Sequence, residues 1–534
     1  MKKSYLIGLF TFLGIVSCNI EEEILDEALG KELIDNAQVE NLIAPAYNQL
    51  RDVYGHRALF ALQDYSSDNA MLPTRQNDWF DGGTFQELHR HDWTATHAYV
   101  RDTWNHLMSG IGNATQALTL VDPDSREHAE MLGLLAFYMA TTLDLYDQVP
   151  YRGITDIDFN APSTILKGEA AFTEIISILD QAMPKLGSGK DGVRFNQDAA
   201  KALKARMYLN RGVYQNRYGS ATFDSADMQE VITLCSELIG SGNYALESED
   251  YFKLFDPDNE GNSEIIFAVK NELTSPSLGG ASVTRNSTNG MSRGYFLTPS
   301  RGIRGSDAGC TLPEFLDTFD AENDPRFAKR FYPAEEGAIP LEEYIISRGF
   351  QEGQQYGAKI VDGAFSYNAD GLLEITALRS TRDQSLANHT RDVNLIAVNQ
   401  STGVRVIKWG IDTRNDNRND TAVDIPIFRL ADIYLMRAEA EARNGGSALN
   451  DVNAVRTARG GADFALAAAD LSDVYNERGF EFYWEYHRRT DQIRFGKWED
   501  SWTDKTSSDT NYRIYPIPPA SVAVTPGLEQ NPGY

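Results

Sequence analysis

Carboxylates and guanidiniums spaced for mutual contact fill the stretch Glu477 to Gly496, ERGFEFYWEYHRRTDQIRFG. Glu477, Glu481, Glu485 and Arg488 recur at helical spacing, which predicts one charged helix face. A row of carboxylates needs cations, and Arg478, Arg488, Arg489 and Arg494 are the local supply. Such a face is either solvated or closed into an ion-pair network with another helix. Tyr483, Trp484 and His487 follow a neighbouring stripe, and Asp491, Arg494 and Gly496 end the block as a charged turn with a glycine stop.

No comparable constellation points to catalysis. The chain has no G-x-S-x-G, no H-E-x-x-H and no P-loop. Among 77 carboxylates some pair always imitates a glycosidase dyad, and sequence does not supply the separation that such a pair requires. A non-enzyme with no catalytic residue and no cofactor is expected. His89, His91 and His97 fall close together, but polar surface or a hydrogen-bonded loop explains them better than a metal site. Asp256–Gly261 begins like a calcium loop, yet Phe267 stands at the twelfth position, so a turn is expected and no metal. Cys235 lies in an apolar helical stretch and reads as a buried thiol; no Cys or His spacing suits zinc.

Flat aromatic side chains among short polar ones are the remaining chemistry. Sugar rings present C–H faces that stack on aromatic rings, while their hydroxyls need polar partners. In RQNDWFDGGTF (Arg75 to Phe85), Asn77, Asp78, Trp79, Phe80 and Asp81 combine both. Arg293 and Tyr295 do so among glycines. For Trp79, binding and structural packing are equally open. Trp104 shares a helical frame with Leu107 and Ile111 and reads as core; Trp93 is a weaker binding candidate.

The elements that must position these residues are mostly helices. Leu132, Leu135, Met139, Leu143 and Tyr146 form one stripe, ending before Pro150. Phe172, Ile175 and Leu179 form another, closed by Pro184; Ala200, Leu203, Met207 and Tyr214 a third. Ile427, Leu430, Tyr434 and Ala438 precede a Gly445-Gly446 turn and a new helix over about 448–459. Alanines at 431, 438, 440 and 442 permit close helix approach, as in degenerate tetratricopeptide-like pairs. Between Asn271 and Asp424 the helical stripes vanish and Gly, Ser, Thr and Asn become dense, which predicts loops and short strands over a helical base.

The chain of 534 residues carries a formal net charge of −28, which disfavours nucleic acid as a partner. Lys2 and Lys3 precede an apolar run, Tyr5 to Val16, then Ser17 and Cys18. A basic start, a short apolar core and a small residue describe a secretory signal over 1–17. A Cys directly after it looks like a lipobox, with Ile15 where Leu is usual, so Cys18 is the expected lipidation site. Residues 18–34, with Glu21, Glu22 and Glu23, read as an acidic tether. The rest divides into 35–270 (helical), 271–425 (loop-rich, ligand-facing) and 426–534 (helices and a Pro-rich tail).

These pieces together resemble the SusD/RagB-like outer-membrane nutrient-binding lipoproteins of Bacteroidetes. That family carries a run close to ER-x-x-E-x-x-x-E-x-x-R-x-x-D-x-x-R-x-G, met here by Glu477, Arg478, Glu481, Glu485, Arg488, Asp491, Arg494 and Gly496. Tyr486, Gln492 and Phe495 depart from the usual Gly, Leu and Trp. The family often ends on QNPGY, as Gln530 to Tyr534 do, and Arg429–Ala440, Leu449–Gly461 and Leu254–Val269 are similar to its segments. The resemblance implies a mainly α fold, a right-handed stack of degenerate helix pairs with a loop-rich irregular region. It also implies an outer-membrane, cell-surface lipoprotein that captures a glycan and delivers it to a SusC-like TonB-dependent transporter. Peptide capture, as in RagB-like members, and a structural surface scaffold are the alternatives.

Overall fold

The computed structural model describes residues 36–76, 78–272, 309–329, 335–380, 383–396, 398–412 and 421–534. Cys18, the signal and tether segments, Asn77, Arg293 and Tyr295 lie outside them.

Helix α1 (Asn36–Val53) packs on α2 (Ala98–Leu120), and each later helix packs on its predecessor: α3 (Arg126–Tyr146), α4 (Gly168–Ala182), α5 (Gln197–Gln215) and α6 (Ser225–Gly240). The stack then skips to α7 (Leu430–Arg443), which packs on α6 and is followed by α8 (Leu449–Gly460) and α9 (Leu471–Phe482). The fold is mainly α, a stack of helix pairs in which each pair buries its apolar face against the next. Local chemistry sets the helix ends. Ser125 accepts the His128 N–H, Asn196 accepts the Ala199 N–H, and Asp470 with Asp473 makes a reciprocal capping box. Small residues permit the close crossings. A Cβ added at Gly133 would lie 2.2 Å from Phe195, and one at Gly110 2.5 Å from Tyr138. Ala431, Leu435, Ala438, Val452, Val455 and Val474 form a separate apolar cluster around α7 to α9.

Residues between α6 and α7 form an excursion from this stack. Strand Ile265–Val269 pairs antiparallel with Ile425–Arg429 and clamps its neck. Beyond the neck the described residues form short strands, one helical turn (Pro313–Leu316) and one 3-10 turn (Leu341–Glu343). One three-stranded sheet joins Gly337–Ile339, Leu373–Ala377 and Tyr356–Ala358; another joins Arg405–Ile407, Arg348–Gln351 and Ala328–Lys329. Ile427, expected at the head of a helix, belongs to the neck strand, and α7 starts at Leu430. Both faces of that strand are buried, so its apolar residues follow no period that separates strand from helix.

The charged block does not form one helix. It divides into α9, ending at Phe482, and α10 (Arg488–Arg494). Trp484 (φ +60°) and Tyr486 (φ +66°) take left-handed backbone between them. The Tyr486 N–H donates to Asp64 Oδ2 at 2.9 Å and its hydroxyl to the Tyr54 carbonyl at 2.8 Å, which holds the turn. Tertiary bonds therefore override a helical pattern that is unbroken in sequence.

The C-terminus docks on the helices. Gln148 and Asn531 bond through Nε2 and Oδ1 at 2.8 Å, and Asn531 Nδ2 donates to the carbonyls of Tyr146 and Tyr515. Trp93 Nε1 donates to the Tyr534 hydroxyl at 2.8 Å, so Trp93 and the equally buried Trp104 are core residues.

Candidate functional site

The loop from Arg75 to Gly83 connects the end of the first helical turns to the short helix Thr84–Arg90. Gln76, Trp79, Asp81, Gly82 and Gly83 all have positive φ, between +44° and +92°. Left-handed backbone costs roughly 1–2 kcal/mol at each non-glycine residue, so the surroundings must hold it. Arg75 is that anchor. Its side chain is buried and donates through Nη1 to the carbonyls of Asn399 (3.0 Å) and Thr402 (2.8 Å). Its backbone exchanges two 2.9 Å hydrogen bonds with Asp78. Gln76 N–H donates to the Val398 carbonyl, tying the loop to the excursion.

The anchored loop presents its side chains unequally. Phe80 is 58% exposed and Asp78 is exposed. Trp79 is half-buried, in edge-to-face contact with His56 (5.9 Å between ring centroids) and Phe85 (6.4 Å). Its ring thus packs, one of the two roles that the sequence left open, while part of it stays accessible. On the far side of Phe80, Asp81 accepts from Arg57 Nη2 at 2.5 Å and from the Tyr99 hydroxyl at 3.0 Å, both on Oδ2. Burial pushes the Tyr99 phenol up to about 12, which keeps it a hydrogen-bond donor. Ile396, 59% exposed, lies on the neighbouring excursion segment whose Leu395 carbonyl accepts from Thr74 N–H. The result is an open ledge with an aromatic surface and a polar margin. Arg57 and Tyr99 join it only through tertiary contact; nothing in their own sequence neighbourhoods marks them.

The Glu477–Gly496 block lies elsewhere and closes into ion pairs instead of facing solvent. Glu481 receives Arg429 at 2.5 Å, Arg459 at 2.6 Å and Arg326 at 2.9 Å. Glu485 receives Lys408 at 2.5 Å and Arg429 at 2.9 Å; Glu477 receives Arg326 and Arg456. Glu264 and Asp324 complete the set. Five carboxylates thus meet Arg326, Arg429, Arg456, Arg459 and Lys408, whose ammonium is pulled down to about 7 by burial. Burial alone would raise Glu481, but the three arginine charges together hold it well below the carboxylate range. Arg478 and Arg494 form a second cluster with Asp432, Asp491 and Glu439, and Arg488 binds Asp68 at 2.6 Å. A polar cavity among Tyr54, Phe137, Asp144, Arg206 and His487 borders this second cluster. Its charges are already paired, Arg206 with Asp432 and Asp144 with Arg489, so it belongs to the scaffold.

The three histidines are internal. His89 Nε2 bonds the Thr503 carbonyl, His91 the Ser66 carbonyl and the Ser508 hydroxyl, and His97 the Thr84 carbonyl. Among the described residues no group of three or more His, Cys, Asp or Glu is placed to hold a metal. Asp256–Gly261 is a turn, and Cys235 and Cys310 are buried free thiols.

Known proteins share this architecture. The starch-binding protein SusD of Bacteroides thetaiotaomicron is 26% identical over 458 residues, which cover 81% of this chain and 76% of that protein. A SusD-like protein of Formosa agariphila is 25% identical, with 98% of this chain and 97% of that protein covered. Among solved structures, a laminarin-binding SusD-like protein gives a TM-score of 0.66 at 21% identity, covering 94% of this chain and 100% of its own. Surface glycan-binding protein A from Bacteroides thetaiotaomicron, in complex with laminarihexaose, gives 0.65 at 18% identity, covering 93% and 99%. At these identities the solved structures share the fold. The SusD family profile matches residues 264–534, from the Glu264 carboxylate of the buried cluster, through the whole charged block, to the docked C-terminal tyrosine. With the profile matching half of the chain and both ion clusters inside that half, the chain belongs to the SusD family.

Proposed function

We propose that this protein is a non-catalytic glycan-capturing protein whose binding surface is the Trp79–Phe80 ledge. The observation that carries this reading is Phe80, 58% exposed on a loop whose strained backbone is fixed by the buried Arg75. A phenyl ring held out to water on an anchored loop offers a flat face on which a sugar C–H face can stack. Membership of the SusD family, with relatives named for starch and for laminarin binding, supports the same reading. Asn77, Arg293 and Tyr295 are proposed as further contacts. Cys18 would carry the lipid that tethers the protein to the outer membrane at the cell surface, and the glycan would pass to a SusC-like TonB-dependent transporter. A lid over a transporter must release its cargo, so affinities are micromolar or weaker.

Isothermal titration against maltoheptaose, cellohexaose, laminarihexaose and a mixed peptide pool tests the reading. Micromolar binding to a glycan, abolished in Trp79→Ala and reduced in Phe80→Ala, is expected. Binding to the peptides alone, or to none of these ligands, overturns it.

A further inference from the structure

We propose that Arg57 and Asp81 form a donor–acceptor pair that reads two neighbouring hydroxyls of the sugar held on the ledge, an inference that rests on the glycan reading above. Arg57 and Asp81 keep 54% and 32% of their side chains exposed although they are in direct contact. Both described contacts of the Asp81 carboxylate fall on Oδ2, so Oδ1 enters neither. Arg57 spends one of its five N–H donors on Asp81 and rests 5.9 Å from the Tyr99 ring centroid.

Stability does not account for this pair, because exposed ion pairs are worth about 0–1 kcal/mol. The backbone on both sides of the pair is distorted. Arg57 and Ala58 sit in a π-helical turn, His56–Phe60, with non-helical dihedrals (Ala58 φ −124°, ψ −119°). Asp81 has φ +44°. Inserted π turns and strained residues gather where side chains must be aimed. Here two separate distortions aim a guanidinium and a carboxylate at the same margin of one aromatic ledge.

The chemistry selects the ligand. A hydroxyl both donates and accepts, so of two adjacent hydroxyls one can donate a hydrogen bond to Asp81 Oδ1 and the other accept one from Arg57. The pair is neutral as a whole, and a sulfate or uronate drawn to Arg57 would meet the Asp81 charge. An uncharged vicinal diol suits both members. Internal residues of 1,4-linked glucans carry free neighbouring hydroxyls at C2 and C3. Internal residues of 1,3-linked glucans carry none, since C3 is in the linkage. The substrate class is therefore a neutral 1,4-linked or similarly diol-bearing glycan, with 1,3-linked chains disfavoured.

Titration of the full chain with maltoheptaose, cellohexaose and laminarihexaose reads this directly. At least one 1,4-linked probe should bind on the order of tenfold tighter than laminarihexaose, the worth of one or two hydrogen bonds. Arg57→Met and Asp81→Leu should each erase that preference, at unchanged thermal midpoint, while leaving weaker binding that Trp79→Ala still abolishes. Equal wild-type affinity for both linkages, or a preference that survives in both variants, overturns the diol assignment and leaves the ledge intact. Absence of binding to all three probes removes the ledge and this inference together.

Discussion

Trp79 and Phe80 are adjacent in sequence but separate in consequence. Phe80 is 58% exposed and should be replaceable without structural cost, whereas Trp79 is packed against His56 and Phe85. Phe80→Ala is expected to leave unfolding free energy within about 0.5 kcal/mol of wild type, the range for exposed positions. Trp79→Ala should lose about 1–2 kcal/mol, since only half of its ring is withdrawn from water and the aromatic pairs add a fraction each. Urea unfolding monitored by circular dichroism measures both; equal losses would mean that Phe80 is packed in solution. The residue types of this loop were legible in sequence, because aromatic, amide and carboxylate groups beside two glycines announce a polar turn with a flat surface. Their unequal exposure was not, because it depends on His56, Phe85 and Arg57, residues that are neighbours in space through the π turn alone.

At the scale of elements, the buried clusters join the excursion to the helical stack. Arg326 and Lys408 come from the excursion, Glu477, Glu481 and Glu485 from α9 and the turn after it, and Arg429 from the neck strand. Removing one partner leaves its counter-ions buried and uncompensated, which costs about 3–5 kcal/mol. Glu481→Ala is expected to lose that much, and Arg326→Met a similar amount, in chemical denaturation. Hydrogen exchange should show the damage of Arg326→Met concentrated at residues 324–329 and 348–351, where the excursion meets α9. Uniform loosening of the entire chain would contradict this assignment. The periodicity of Glu477, Glu481 and Glu485 correctly signalled that these carboxylates converge. It misplaced the reason, because Glu485 reaches the cluster from a left-handed turn and not from the helix face.

For the whole molecule, burial sets the response to acid. His89, His91, His97, His389 and His487 are all held below the ordinary imidazole value by burial, His89 at about 4 and His487 at about 3. A depressed folded value means stability that is present above about pH 6.5 and lost as pH falls, by about 1.4 kcal/mol per unit for each such group. Asp64 and Asp424 oppose this. Burial raises both to about 7, so each gains stability as pH falls from 7 toward 4. Burial also raises Glu87, Asp92, Glu130, Asp227 and Glu441, which join the opposing side as pH nears the ordinary carboxylate range, so the histidine loss dominates just below pH 6.5. Below about pH 4.5, burial would raise Glu439, Glu481 and Asp491, but their arginine partners hold them low, and protonating them removes further stability. The thermal midpoint should therefore begin to fall below about pH 6.5 and fall more steeply below pH 4.5; a flat profile in scanning fluorimetry would refute this balance. The sequence by itself determined the helical stack, the existence of a loop-rich excursion after α6 and the family, because apolar periodicity, proline and glycine stops and a long charged motif are local or evenly spaced signals. Only the tertiary structure decided that the charged motif is broken by a turn and sealed from water, that the three histidines are internal, and that Arg57 and Asp81 share the margin of the aromatic ledge. Each of those outcomes depends on partners tens to hundreds of residues away, and burial and pairing are properties of the packed assembly, not of the segments that enter it.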